Sequence, residues 1–365
     1  MKIVSARYIK RGKIIKAVVR TDKPGYGACL MTGCCVFPDE FNIEEPYDKK
    51  THVFHFEECR AEGANEFALL VKKHKKSRRA KRIGFDFSPV FEDENDLLEE
   101  YNSRFEIKKE EKEAVARGVT YSHFLIEDKN KAPVHAFTLE IDTKLASLYA
   151  GTPDDGYKNI NVKAKVPEMI DSAVKNGVNV IAAMNADFFD MFGDCHPSGL
   201  CVKNSRIVAN ADSPRPFIGI KKDGSPVITD INESPGIVSD LTQAASGLEM
   251  IVKDGKICDY GPLEPFSFVR HPRTAAGIKP DGTVILLAVD GRIPEYSNGA
   301  TLVDLAEFMI KLGAERAVNL DGGGSTIVYT KSADGFRLRN RPADLIRPRA
   351  MLIRKEFNAL LVVEK

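Results

Sequence analysis

Four short turn signals constrain this chain more than any other feature. Lys203-Asn-Ser-Arg206, Lys222-Asp-Gly-Ser225, Lys253-Asp-Gly-Lys256 and Pro280-Asp-Gly-Thr283 each separate two runs of β-forming residues. Asn and Asp-Gly supply the positive φ that a tight hairpin demands. A stretch punctuated in this way folds as antiparallel sheet. Upstream of it, Val119 to Ile126 and Val134 to Asp142 alternate apolar and polar residues, and Val178 to Met184 is an apolar run. All three predict strands. Two segments predict helices instead. Pro167 to Lys175 has proline in its first turn and Gly177 at its end. Thr301 to Leu312 carries Leu302, Leu305, Ala306, Met309 and Ile310 on one stripe, with Thr301 and Asp304 placed for a capping box and Gly313 as its stop. The expected class is α+β, with mixed, largely antiparallel sheets and packed helices in the C-terminal domain.

A small strand-rich domain is expected over residues 1–90, from the runs Ile14-Ile15, Ala17 to Val19, His52 to Phe56 and Phe67 to Val71. The acidic and then mixed stretch 91–117 is expected to be a helical linker, with Leu97, Leu98, Tyr101 and Phe105 as its stripe and Gly118 as its stop. The third region, 118–365, is then the catalytic domain. Within the first region, residues 72–82 hold eight Lys and Arg side chains. They are either a solvated face or a contact for a polyanion.

Lys and Arg total 53 against 52 Asp and Glu, so no global charge draws the chain to nucleic acid or an anionic membrane. No apolar run reaches the length of a membrane span. The N-terminus is interrupted by charges and lacks the apolar core of a secretory signal, so the expectation is a cytoplasmic location, with another export route or a trimmed N-terminus as the alternatives. The seven cysteines form no Cys-x-x-Cys pair, which argues against a zinc site or a disulfide framework. No metal or cofactor is expected.

The chemistry concentrates at strand ends. Asn319-Leu-Asp-Gly-Gly-Gly-Ser325 follows a short strand at Ala317-Val318. Three consecutive glycines bring nothing to a core, and a chain accepts them where the backbone takes unusual angles or a ligand approaches closely. No Gly-Lys-Ser/Thr follows, so this is not a P-loop. Asn185 and Asp187, Arg273 and Thr274, and Asp290 with Arg292 also lie at predicted strand ends. Arginine beside a glycine-rich loop suits a phosphate, and paired carboxylates suit work on a glycosidic bond. Helix, glycine, strand and Asn-x-Asp occur twice, ending at Asp187 and at Asp321. If both strands belonged to one sheet, both pairs would end at one rim. His196, in Asp194-Cys-His-Pro-Ser-Gly199, is a weaker candidate for the same rim.

These pieces, in the order Asn-x-x-Phe-Phe, Pro-x-Gly-x-x-Val-Lys, Arg-Thr-Ala, Asp-Gly-Arg, Leu-x-x-Leu-Ala and Asn-Leu-Asp-Gly-Gly-Gly-Ser, resemble the phosphodiester glycosidase family. The resemblance runs from about Thr120 to the C-terminus. It implies hydrolysis of a sugar-1-phosphate diester, freeing the sugar and leaving a phosphomonoester. It puts Asn185, Arg273, Thr274, Asp290, Asn319, Asp321, Gly322, Gly323, Gly324 and Ser325 at the family's site positions. Asp187 stands where many members have glycine. On this reading Asp321 leads the catalysis with Asp290 second and Asp187 a third candidate. Arg273, Arg292, Thr274, the glycine-loop amides and Ser325 hold the phosphodiester, and Asn185 and Asn319 orient the sugar. The rival reading is a non-catalytic module that binds anionic phosphorylated glycans, on a phage or cell surface, with help from residues 72–82.

Overall fold

The computed structural model describes eight strands between Ile3 and Glu92, and residues 106–365 apart from 129–130, 158–161, 191–194, 259–269, 294 and 348–349. The chain divides into two compact units, Met1–Asn102 with Asp259–Arg270, and Ser103–Cys258 with His271–Lys365. Among the described residues no helix is long and apolar enough to cross a membrane.

The first unit holds two four-stranded sheets. One runs Thr51–Glu57, Ile14–Thr21, Ile3–Arg11, Phe91–Glu92, and the other Cys35–Pro38, Tyr26–Thr32, Glu66–Lys72, Ala80–Asp86. All four expected β-runs fall inside these strands. Of the basic run, 73–79 lie outside the described residues.

The second unit is built on an eight-stranded antiparallel sheet. Its order is Lys256–Ile257, Met250–Lys253, Arg316–Leu320, Arg273–Ile278, Val284–Val289, Pro133–Ile141, Val119–Glu127, Glu106–Ala116. One five-stranded sheet runs Ala146–Gly151, Ala359–Glu364, Val180–Asn185, Val328–Ser332, Gly335–Leu338. A second runs Arg206–Ala209, Cys201–Lys203, Leu241–Ser246, Phe217–Lys221, Pro226–Thr229. Side chains from all three sheets, among them Leu286, Val318, Met184, Leu360, Ile218 and Ala245, meet in one buried cluster. The four turn signals are all hairpin turns. Asn204 and Ser205, at φ 47° and 62°, and Asp254 and Gly255, at 53° and 69°, all take positive φ, as two-residue hairpin turns require.

Two expectations need correction. The described residues hold only two α-helices, Val166–Lys175 and Leu302–Lys311, so the second unit is mostly sheet and the expected helical layer does not form. Within 118–365 these are the two segments for which a helix is expected. In the second, Thr301 Oγ1 accepts from the Asp304 amide at 3.0 Å and Asp304 Oδ2 accepts from the Thr301 amide at 3.0 Å, and Gly313 leaves the helix at φ 92°.

The expected linker helix over 91–117 is overturned at its two described ends. Phe91–Glu92 is a strand, and Glu106–Ala116 is an edge strand paired along Val119–Glu127. The residues from 93 to 105, including the proposed stripe, lie outside the described residues. The charges of 106–113 pair along this strand. Lys108 pairs with Glu106, Lys109 with Glu111 and Lys112 with Glu110. Partners two apart share one face of a strand, whereas a helix would join residues three or four apart. Lysine and glutamate along an outer strand also discourage edge-to-edge pairing with another chain.

Candidate active site

The strands Val284–Val289 and Arg316–Leu320 flank Arg273–Ile278 and run opposite to it. Their ends therefore bring Asp290 and Asp321 to the rim where Arg273 begins. Val180–Asn185 ends there too, from the facing five-stranded sheet. The two Asn-x-Asp pairs thus sit in different sheets, contrary to the one-sheet expectation, yet their ends are joined. Asn185 Nδ2 donates to the Asp321 carbonyl at 2.6 Å, and the Asp321 amide donates to the Ala186 carbonyl at 2.9 Å.

Each glycine of the loop has its own reason. A Cβ on Gly322 would stand 2.6 Å from the Pro272 carbonyl oxygen. Gly323 sits at φ 62°, and its Cβ would stand 2.9 Å from Arg292 Nη2. A Cβ on Gly324 would overlap the Asp344 carboxylate and the Arg354 guanidinium. Gly323 also donates its amide to the Pro272 carbonyl at 2.8 Å, so that amide is spent on the fold.

Around this loop lies a cluster of charge. Asp321 is half-buried, and burial raises its pKa, opposed by the Ser325 hydroxyl, then by the positive charge of Arg354, the Gly322 amide and Arg292. Glu356 is 2% exposed, and its Oε1 has no hydrogen-bond partner. Burial raises its pKa, and the charge of Asp321 raises it further. Between these two carboxyls Asp321 ionises first, and its charge holds the proton on Glu356. Arg354 donates from Nη1 to Ser325 Oγ at 3.1 Å and from Nη2 to Asp344 Oδ2 at 2.8 Å. Arg292, whose side chain is 42% exposed, lies 3.9 Å from Asp344. The arrangement offers an ionisable carboxylate, a proton-bearing neighbour and two guanidinium groups that solvent reaches.

The other expected site residues occupy different positions. Asn185 is fully buried, and its Oδ1 accepts from Thr274 Oγ1 and from the Ile327 amide, both at 3.1 Å. Thr274 is buried with it. Asn319 is fully buried too, and donates to Glu249 Oε2 at 2.9 Å. Both asparagines are thus turned into the protein, away from the place a sugar would need: Asn185 ties strand ends together, and Asn319 holds the Glu249 carboxylate. Asp290 is 1% exposed and accepts from Asn340 Nδ2, Tyr296 Oη and the Arg341 amide. Burial pushes it to about 6. With its oxygens engaged, it holds the fold rather than facing a substrate. Arg273 is 4% exposed and gives Nε to the Ala300 carbonyl at 3.0 Å, which ties the rim to the residue before the second helix's cap.

Asp187 is 2% exposed, and neither carboxylate oxygen has a hydrogen-bond partner. Burial raises its pKa well above the usual range, which favours its protonated, neutral form. His196 contacts Asn210 Oδ1 at 3.0 Å, within a turn that Asn210 ties to the Pro197 and Gly199 carbonyls. Among the described residues no group of three His, Cys, Asp or Glu side chains is placed to hold a metal ion.

Sequence reading missed Glu356, Arg354 and Asp344. They lie in 344–356, a stretch without periodicity or motif, and only the fold carries it back against the glycine loop.

The phosphodiester glycosidase family profile matches residues 178–361, half of the chain. The chain belongs to the phosphodiester glycosidase family. Its relatives include the N-acetylglucosamine-1-phosphodiester alpha-N-acetylglucosaminidase of Mus musculus, 31% identical over 172 residues, which cover 42% of this chain and 32% of the relative. The Homo sapiens enzyme of the same name is 31% identical over 160 residues, covering 39% and 30%. The chain spans about a third of the length of these curated relatives. In fold it resembles the zebrafish catalytic domain of that name, auto-inhibited by its pro-peptide. There the TM-score is 0.56 at 23% identity, over 72% of this chain and 88% of that one. A hypothetical protein from Synechocystis gives a TM-score of 0.54 at 13% identity, over 100% of this chain and 80% of that one. For this family member the matched region contains the glycine loop, Asp187, Arg273, Asp290 and Glu356.

Proposed function

We propose that this family member hydrolyses the glycosidic bond of a sugar-1-phosphate diester, with N-acetylglucosamine 1-phosphodiesters as its substrate class. Family membership supports the reaction, and the names of the mammalian relatives support the sugar. The observation that carries the reading is the half-buried Asp321 on the glycine loop, flanked by Arg292 and Arg354 and adjoining a proton-bearing Glu356.

Arg292 and Arg354 engage the phosphate oxygens, since a planar guanidinium pairs two donors with two oxygens. Arg273 and the packed glycines hold the loop at the distance this requires. Asp321 takes a proton from water as the water oxygen bonds to the anomeric carbon. The bond from that carbon to the phosphate oxygen breaks, and its electron pair leaves with the phosphomonoester. The second ionisation of such a monoester lies near 6, so the leaving group needs little acid assistance. Glu356 supplies a hydrogen-bond donor instead of a full proton transfer.

The test is release of free sugar from an N-acetylglucosamine 1-phosphate diester of a simple alcohol. The parent protein turns it over, and Asp321→Asn does not while keeping its melting temperature. Parent-like turnover by folded Asp321→Asn moves the chemistry to another residue. No release by the parent protein leaves phosphate binding as the function.

A further inference from the structure

Beside Asp321 lies a second set of polar side chains that the phosphate chemistry leaves unused: Arg215, Glu249 and Asp187. Arg215 precedes Pro216, whose carbonyl accepts from the Gly247 amide at 2.8 Å. Gly247 packs on the strand that leads into the glycine loop, since a Cβ on it would stand 2.2 Å from the Asn319 carbonyl oxygen. Gly199 approaches the same place, where its Cβ would stand 2.3 Å from Ser246 Cβ and 3.6 Å from Arg215 Cβ. Glu249 is tied to Asn319 twice. Its carbonyl accepts from the Asn319 amide and its Oε2 from Asn319 Nδ2, both at 2.9 Å. Asn319 is two residues before Asp321, and Asp187 follows Ala186, whose carbonyl accepts from the Asp321 amide. Separate stretches of chain thus converge next to the loop.

These groups do not satisfy one another. Among the described residues the half-buried Arg215 guanidinium makes no hydrogen bond or ion pair. Burial lowers its pKa, opposed by the charges of Glu249 and then Asp187, so both carboxyls stand near it without reaching it. Glu249 is half-buried too. Burial raises its pKa, opposed by the Asn319 hydrogen bond and then by the charges of Arg273 and Arg215. Asp187 keeps two buried oxygens without a partner, an arrangement that costs free energy in the free protein. The set is separate from the phosphate arginines. Asp344, Arg354 and Asp321 are the charges that act on Arg292, whereas Glu249 and Asp187 act on Arg215. Asp321 acts on Asp187 as well, so it adjoins both sets.

We propose that Arg215 and Glu249 bind the sugar ring of the substrate, the half that Arg292 and Arg354 do not hold. This rests on the hydrolysis at Asp321 argued above. The anomeric carbon lies at Asp321, and its two substituents part there. The phosphate goes to Arg292 and Arg354, and the sugar ring goes to the other polar set that adjoins Asp321. The open donors of Arg215 meet hydroxyl or acetamido oxygens, and Glu249, held in place by Asn319, accepts from a hydroxyl. A ring hydroxyl that reaches Asp187 supplies the partner its buried oxygens lack. One arginine facing two carboxyls carries no surplus positive charge, which disfavours a second phosphate here.

The test is a saturation-transfer NMR titration of the full chain with free N-acetylglucosamine and, separately, a calorimetric titration with inorganic phosphate. Each is paired with KM and kcat on the N-acetylglucosamine 1-phosphate diester of a simple alcohol. Arg215→Ala should weaken the free sugar and raise KM about tenfold or more, lower kcat less, and leave phosphate binding and the melting temperature as in the parent. Arg292→Ala should weaken phosphate and spare the free sugar. Arg215→Lys keeps the charge without the planar fork and should fall between parent and alanine variant; it also serves if the alanine variant does not fold. The proposal fails if the parent binds no N-acetylglucosamine, or if sugar binding and KM are unchanged in folded Arg215→Ala or Arg215→Lys. Loss of phosphate binding with the sugar spared in an Arg215 variant makes the set an anion site and overturns it. The two readings fail separately. Turnover by the parent with a KM indifferent to Arg215 sinks the sugar subsite and keeps the hydrolysis, whereas Arg215-dependent sugar binding without turnover keeps the sugar site and sinks the hydrolysis.

Discussion

Three residues at the site separate roles that their side-chain types leave open. Glu356 is raised by burial and by the charge of Asp321, so it keeps its proton after Asp321 has lost its own. Glu356→Gln retains a donor and cannot titrate. It should keep turnover within about tenfold of the parent near pH 6 and lose the parent's fall in rate on the alkaline side. Glu356→Ala should lose most activity throughout. A glutamine variant as inactive as Asp321→Asn would make Glu356 an obligatory proton donor. Gly323 sits at φ 62° beneath Arg292. Gly323→Ala should cost about 1 kcal/mol or more in backbone strain and displace Arg292, so KM should rise more than the melting temperature falls. Unchanged KM would remove Arg292 from phosphate binding. Asp187 gives the pH prediction. Its folded pKa lies above its unfolded one, so between the two the folded state binds more protons than the unfolded state, and stability falls as pH rises. The slope is at most about 1.4 kcal/mol per pH unit. Asp187→Asn removes this titration. Its melting temperature should exceed the parent's at pH 7.5 and match it near pH 4, and a variant less stable at pH 7.5 would show that the ionised carboxylate has a partner.

At the scale of elements, the rim is held by polar side chains that bridge sheets. Asn340 is the clearest case. Its Oδ1 accepts from the Val328 amide at 2.9 Å, and its Nδ2 donates to Asp290 Oδ1 at 2.8 Å and to the Thr326 carbonyl at 3.0 Å. Asn340 thereby ties a five-stranded-sheet strand to the end of an eight-stranded-sheet strand, one residue from Ser325. Asn340→Ala leaves a buried amide and part of a buried carboxylate unsatisfied. It should destabilise by about 2–4 kcal/mol, read as a lower denaturation midpoint, and lower turnover by loosening the loop. A change under about 0.5 kcal/mol would mean that water replaces the asparagine. The hairpins were legible because their information is local: a turn residue and its neighbours decide φ. The edge strand Glu106–Ala116 was not. Its Glu/Lys pattern satisfies helix and strand alike, and only pairing along Val119–Glu127 decides between them.

Across the whole molecule, the discontinuous second unit makes a prediction about truncation. A fragment of 103–365 retains the strand Glu106–Ala116 and should be soluble and active. A fragment beginning at Arg117 strips the outer strand from Val119–Glu127 and leaves its amides and carbonyls unpaired. It should aggregate or melt lower, and equal melting temperatures for the two fragments would make that strand dispensable. The sequence alone determined the antiparallel class, the four hairpins, the two helices with their caps, the glycine loop and the family. Each of these is written in residues close together in the chain, where turn geometry, periodicity and motif order act. The tertiary structure alone decided which polar groups face solvent. Asn185, Asn319 and Asp290 look like ligands for a substrate by type and position, yet packing turns them inward, Asn185 and Asp290 onto backbone groups and Asn319 onto the Glu249 carboxylate. Glu356 and Arg354 carry no local signal, because their role depends on a return of the chain to Asp321 across some thirty residues of sequence. Burial and proximity, which set the charge of every carboxyl at this site, are properties of that return.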